Sequence, residues 1–265
     1  MEKEIKSLPP LPASIVRIQQ LCMEKEVNIS ALTRVIESDP MLSANILKSV
    51  NSPLYGMSKG IGSIRQAVML FGVAMIRGFA AANAIKKAIP IDLQPYGITI
   101  DILTETSECQ MLLLTEWITR VDKQLLPLLT SGVFLMELGK LIASRKLVMI
   151  GNQESFLAEL LLGKSIIEVE KSFLGMNSYE IAAMMFAHWN FDPELIEMLS
   201  NVNAKSATLE GKILYVIQEA INIRESLSEE SATKALSALK SFGLEPEPFN
   251  QAIIVLKSTM ERMKK

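Results

Sequence analysis

A single histidine, His188, and two cysteines, Cys22 and Cys109, supply all the imidazole and thiol groups in 265 residues. This scarcity removes most transition-metal chemistry, because zinc and related hydrolytic centres draw their ligands largely from His and Cys. The cysteines lie far apart, without metal or redox spacing, and read as buried reduced thiols. Charge of one sign is lacking too. The net charge of −2 gives no electrostatic reason to expect a nucleic-acid partner. The pairs Lys86-Lys87, Arg145-Lys146 and Lys264-Lys265 read as solvated helix ends. The N-terminus MEKEIKSLPP lacks the apolar core of a secretory signal. Gln66 to Ile85 carries one charge, Arg77, near its middle, where an arginine costs about 2.5–3.5 kcal/mol in a bilayer. Gln66, Asn83 and two glycines add to that cost. The segment is expected to be a buried core helix, and the protein cytoplasmic and without a membrane partner. Gly60-Ile61-Gly62 lacks a third glycine and a preceding strand, so it reads as turn chemistry rather than a nucleotide loop.

What is present is apolar and helical. Apolar residues make up 49% and charged residues 21%, enough to bury a sizeable core. Pro12 opens a helix with Ile15, Ile18, Leu21 and Cys22 on one side. Asn28 caps a second that turns Ile29, Leu32, Val35 and Ile36 inward. The stretch from Glu37 to Phe79 reads as helix, loop, helix. Ser38 or Asp39 caps its first helix, with Pro40 at N1. Asn51-Ser52-Pro53 stops that helix, and Ser63 caps the next. Two prolines and a glycine between Ile89 and Thr99 mark a subdomain boundary. Beyond it the pattern predicts helices from about Ile100 to Val121 and over an apolar run from Leu125 to Ile142, broken at Pro127 and Gly132. Short helices are predicted near 153–162 and at 165–174, the latter capped by Ser165 and ended by Gly175. Ser178 and Asp192-Pro193 start two more, and three amphipathic helices follow at 206–224, 229–241 and 247–263. Period-two alternation never extends far enough to predict a strand. The expected class is all-α: a multi-helix bundle, with an N-terminal helical subdomain packed on a second one.

The order Leu8-Pro9-Pro10-Leu11-Pro12, Asp39-Pro40, Asn51-Ser52, Ala67, Leu70-Phe71-Gly72 and Arg77 resembles the HDOD domain. That family is kin to the HD metal-dependent phosphohydrolases. The resemblance covers roughly residues 8–200. It implies an N-terminal helical half (8–90) and a degenerate HD-like half (99–200); the residues beyond it read as a C-terminal helical extension (205–265) that the resemblance does not cover. HD enzymes hold one or two metal ions through histidines and aspartates, including an adjacent His-Asp pair, which leave positions open for water and phosphate.

In this chain the run matching the His-Asp pair is Gly132 to Lys140, with Met136 and Glu137 at the pair's positions. A further position where relatives carry histidine is Ser178, and the upstream one near Thr106-Ser107 also lacks it. These are degenerate HD positions. Glu137 is either a residual ligand or a helix-surface or cap-paired glutamate. The lone His188, before Trp189, cannot assemble a metal site and reads as structural. No catalytic residue, metal or cofactor is expected.

The resemblance therefore implies a bacterial signal-transduction or regulatory domain that acts, without catalysis, through contacts with a regulatory protein partner. On that reading Asn51, Ser52, Tyr55, Gly56 and Arg77 form a candidate interaction surface. The plainer alternative is that Asn51 caps a helix end and Arg77 makes an internal ion pair. Two other readings are a sensor that binds a nucleotide or other small molecule in the degenerate HD cleft, and a residual phosphohydrolase with a carboxylate-only metal site. The 15 methionines read mainly as adaptable core filling, with a partner-binding groove as the alternative.

Overall fold

The computed structural model describes residues 1–55 and 59–263, so Gly56 and the Lys264-Lys265 pair lie outside the described residues. The described residues form α-helices joined by short 3-10 turns, with no strand among them. The N-terminal half holds α1 (Glu2–Lys6), α2 (Ala13–Cys22), α3 (Ile29–Glu37), α4 (Pro40–Val50) and α5 (Ile64–Ala88). The second half holds α6 (Ile100–Ile118), α7 (Leu126–Met136), α8 (Gly139–Met149), α9 (Gln153–Leu161), α10 (Ile166–Leu174), α11 (Ser178–His188) and α12 (Pro193–Ser200). The extension adds α13 (Leu209–Ala220), α14 (Glu229–Ser241) and α15 (Pro246–Met263).

The helix starts follow cap chemistry. Asn28, Asp39 and Ser63 each accept a hydrogen bond from the backbone N–H three residues on, at 2.9, 3.0 and 3.2 Å. Pro40 and Pro193 occupy first turns, where no N–H is needed. Some expectations need correction. The chain is helical before Pro12, because Ile5 finds the core and makes α1 worth forming. Neither Pro127 nor Gly132 breaks the apolar run. Pro127 sits in the first turn of α7, and Gly132 is buried where a Cβ would meet Met198 Cε at 2.3 Å. The break falls instead at Glu137-Leu138. Ser165 makes no side-chain cap bond. The helix expected at 206–224 runs only from Leu209 to Ala220, because a tight turn then pairs Ile221 with Ser226.

One hydrophobic core runs through all three parts, from Ile5 to Leu256. Packing of α5 on α7 joins the two halves, with Phe79 meeting Phe134 edge-on at 4.7 Å. The Trp189 indole N–H donates to the Pro9 carbonyl at 3.0 Å and holds the N-terminal segment against α11. In the extension, α15 packs on α6, and Phe249 meets Trp117 edge-on at 4.8 Å. The apolar stretches Ile64–Ala88 and Lys123–Met149 are long enough to cross a membrane by length and composition alone. Within the fold, 56% and 72% of their apolar windows are buried. Near its middle α5 is kinked at Gly72, whose φ of 78° and ψ of 162° suit a residue without Cβ.

Candidate functional site: the degenerate HD positions

The junction of α7 and α8 presents the two residues on which the site is built. Glu137 caps the end of α7, Gly139 begins α8, and the Lys140 N–H donates to the Glu137 carbonyl at 3.1 Å. That tight turn puts the Glu137 and Lys140 side chains on one side at a spacing of three. Gly139 permits the arrangement, since a Cβ there would lie 1.8 Å from the Ser178 carbonyl oxygen. The α8 backbone thus rests directly on the start of α11. Ser178 is positioned by a capping box in which Asn177 accepts from the N–H groups of Tyr179 and Glu180, while Glu180 accepts from that of Asn177.

Glu137 and Lys140 are both fully buried and form an ion pair at 2.7 Å. Removing two charges from water costs several kcal/mol per ion, so the pair persists only if its other bonding capacity is met. For Lys140 it is met in part. The ammonium donates to Ser178 Oγ at 3.1 Å and stands 4.5 Å above the centre of the Tyr179 ring. Ser178 Oγ and the ring face thus take two of its contacts, while Glu137 Oε2 meets it as an ion pair without a hydrogen bond. The other Glu137 oxygen accepts from Gln110 Nε2 at 2.9 Å and from Tyr179 Oη at 3.4 Å. Gln110 donates its second amide proton to the Ile221 carbonyl at 2.8 Å, so the turn after α13 closes the site from the extension.

A second buried carboxylate belongs to the same network. Glu170, on α10, accepts the Ser178 backbone N–H at 2.6 Å and the Tyr96 hydroxyl at 2.8 Å. Burial pushes its pKa above the ordinary glutamate value, and Lys140 and these hydrogen bonds partly offset the rise. Tyr96 and Tyr179 are held well above the ordinary tyrosine value, first by burial and then by the neighbouring glutamates, so both act as donors.

Of the residues singled out in the sequence, Glu137 and Ser178 come together through Lys140. Met136 is fully buried as core filling, and the Ser107 hydroxyl is spent on the Leu103 carbonyl within α6. His188 is exposed at the end of α11. Sequence reasoning missed Glu170, Gln110, Tyr96 and Tyr179. One signal was available, since Glu170 falls at the apolar spacing of Ile166, Ile167 and Val169. For a metal ion of the HD type the residues do not fit. No group of three His, Cys, Asp or Glu residues able to hold an ion occurs among the described residues. A cation roughly 4 Å from the Lys140 ammonium would meet about 4 kcal/mol of repulsion at an effective dielectric of 20.

The candidate interaction residues divide into two environments. Asn51 is exposed, but its amide clamps the following loop. It donates to the Leu47 and Ile61 carbonyls at 2.8 and 2.9 Å and accepts the Ile61 N–H at 2.7 Å. Ser52 donates to Glu108 at 3.3 Å, and Tyr55 packs edge-on against Phe71 at 5.0 Å. Tyr55 also walls an apolar groove of about 400 Å³, lined with Leu70, Phe71, Leu112 and Leu126. The Arg77 side chain is 13% exposed and is taken up by Asp192 at 2.6 Å and Ser131 at 3.2 Å.

Together these observations define an all-helical, HD-like fold with a buried Glu137–Lys140 ion pair at the junction of α7 and α8. The HDOD domain pattern matches residues 8–204, and the chain belongs to the HDOD family. Among solved structures, a virulence factor from Campylobacter jejuni is 26% identical, covering 98% of this chain and 94% of that one at a TM-score of 0.55. A protein from Shewanella amazonensis described as a candidate phosphohydrolase shares the fold at a TM-score of 0.76 and 20% identity, covering 97% and 93%. An HDOD protein of unknown function from Geobacter sulfurreducens does so at 0.64 and 16%, covering 98% and 96%. A segment of 69 residues is 33% identical to an uncharacterized Treponema pallidum protein. That match spans 26% of this chain and 14% of the curated relative's length.

Proposed function

We propose that this HDOD chain is a non-catalytic regulatory domain that works by binding another protein. The observation that carries the reading is the buried Glu137–Lys140 pair. Hydrolysis in HD enzymes needs an open cation position, and here the corresponding carboxylate is neutralised by a lysine with no exposed surface. Gln110, itself held by the Ile221 carbonyl of the extension, donates to the same carboxylate, and both residues of the pair are fully buried, which supports the reading.

The partner surface we favour is the rim of the groove beside Tyr55. Leu70, which lines the groove, is 55% exposed, and the adjacent Met69 is 71% exposed, which is unusual for large apolar side chains on one helix turn. Arg77 serves this reading as a strut beneath the surface rather than as a contact. The test compares wild type with Met69→Asp/Leu70→Asp as bait in native extract, after circular dichroism has verified the fold. A protein retained by wild type and lost by the variant supports contact-based function. Identical capture by both would refute the surface.

A further inference from the structure

A second cavity, of about 360 Å³, lies where the extension meets the HD-like half. Small-molecule sites run from roughly 300 to 1,000 Å³, so the space is of ligand size. Residues 163–166 at the start of α10 wall one side. Tyr215, Gln218, Glu219 and Asn222, spaced along one face of α13 and its end, wall the other. Arg224 of the following turn and Lys234 of α14 stand at the edge, both exposed.

Three parts of this lining keep bonding capacity that the fold does not use. Gln218 is 4% exposed and its Nε2 donates to Glu219 at 2.6 Å, yet its Oε1 accepts from no described residue. A buried amide oxygen without a donor is costly, and this one belongs to the cavity wall. Ser165 makes no side-chain cap bond, so the first-turn N–H groups of α10 lack their usual acceptor. Among the charges, Lys164 is taken by Glu159, and Lys234 by Glu230 and Glu225. Arg224, Glu168 and Glu219 make no ion pair among the described residues. The last two gather at Tyr215, which burial and then the charges of Glu219 and Glu168 hold above the ordinary tyrosine range.

Unused acceptors therefore converge beside Tyr215, and the unused donors are a guanidinium and a helix start. An ammonium brings three donors and no acceptor, and a carboxylate brings the reverse. We infer that the cavity binds a small zwitterion of the amino-acid class. Gln218 Oε1, Glu219 and Glu168 take its ammonium beside the Tyr215 ring, while Arg224 and the first-turn N–H groups of α10 take its carboxylate. A phosphate suits the lining less, because Glu168, Glu219 and Glu225 offset Lys164, Arg224 and Lys234 and leave no net positive charge. A bound zwitterion would tie α10 of the HD-like half to α13 and α14 of the extension. The inference goes beyond the regulatory reading and does not depend on the groove beside Tyr55.

The full chain is screened by thermal unfolding against the proteinogenic amino acids and glycyl dipeptides, with inorganic phosphate as a separate arm. At about a hundred times its dissociation constant, at least one amino acid or dipeptide should raise Tm by roughly 5–10 °C. Calorimetric titration of that compound then separates its two ends. Its N-acetyl and decarboxylated forms should each bind roughly tenfold weaker or more, and so should the intact compound to Gln218→Met and to Arg224→Ala. Arg224 is exposed and its loss leaves the fold intact, so the test holds even where Gln218→Met does not fold. The inference is overturned if no amino acid or dipeptide raises Tm, if phosphate or the decarboxylated form binds as tightly, or if Arg224→Ala binds like wild type. Each of those results leaves capture of a protein through Met69 and Leu70 untouched, so the regulatory reading stands or falls separately.

Discussion

The Arg77 guanidinium and the Asp192 carboxylate meet at 2.6 Å across 115 positions of the chain, joining α5 of the N-terminal half to the cap of α12 in the second half. Ser131 on α7 accepts a further bond from the same guanidinium at 3.2 Å, so one side chain ties three helices. The two side chains are 13% and 21% exposed, an environment in which an unpaired partner is not fully rescued by water. Arg77→Met is expected to lower stability in urea by about 1–3 kcal/mol. Asp192→Asn in the same background should add little, because the carboxylate has already lost its partner. Full additivity of the two changes would show that the contact is not formed in solution.

Glu170 gives the network a pH signature. Burial raises its folded-state pKa above the ordinary value of 4.5, so the folded chain holds the proton more tightly than the unfolded chain does. Its contribution to stability is therefore fully present below the ordinary value and is lost as pH rises through the raised one. Glu170→Gln keeps an acceptor for the Ser178 N–H and carries no charge. Denaturant midpoints measured between pH 5 and pH 8, on the rising side of that ordinary value, should fall less for the variant than for wild type. Parallel profiles would show that Glu170 does not titrate differently in the fold.

Gly139 is set by contact rather than by turn geometry. A Cβ would lie 1.8 Å from the Ser178 carbonyl oxygen and 2.8 Å from the Ala182 nitrogen, both backbone atoms that cannot swing aside. Gly139→Ala should cost about 3 kcal/mol or more, or prevent folding. Gly62→Ala, where no atom lies within 4 Å of the added carbon, is the matched control and should be close to neutral. Comparable loss in both variants would argue against direct packing of α8 on α11.

How much of this was legible in the sequence depended on the range of the interaction. Asn28, Asp39 and Ser63 act on backbone N–H groups three residues away, and each caps the helix expected of it. The all-α class and the HDOD family follow from such local signals taken in order. Gly132 misled, because only the tertiary contact with Met198 shows that its small size serves packing rather than a break. The short α1 was silent for the same reason, since its stability comes from the core it meets. At the site, Glu137 and Ser178 were singled out by resemblance, but the cation between them was not. Lys140 lies three residues from Glu137, yet the sequence does not tell a buried pair from a solvated helical one. Gln110 reaches Glu137 from 27 positions away and Tyr96 reaches Glu170 from 74, and only the fold brings them together.

The most direct test of the central claim is a metal and turnover measurement on wild-type protein. The purified chain would be loaded with manganese or magnesium, desalted, and assayed for bound ion and for hydrolysis of a general phosphodiester and of cyclic dinucleotides. Substoichiometric metal, and hydrolysis equal to that of a Glu137→Gln/Lys140→Met control, is the predicted result. One or more ions bound per chain, with turnover that the Glu137 substitution abolishes, would show that the ion pair yields to metal and that the domain is an enzyme.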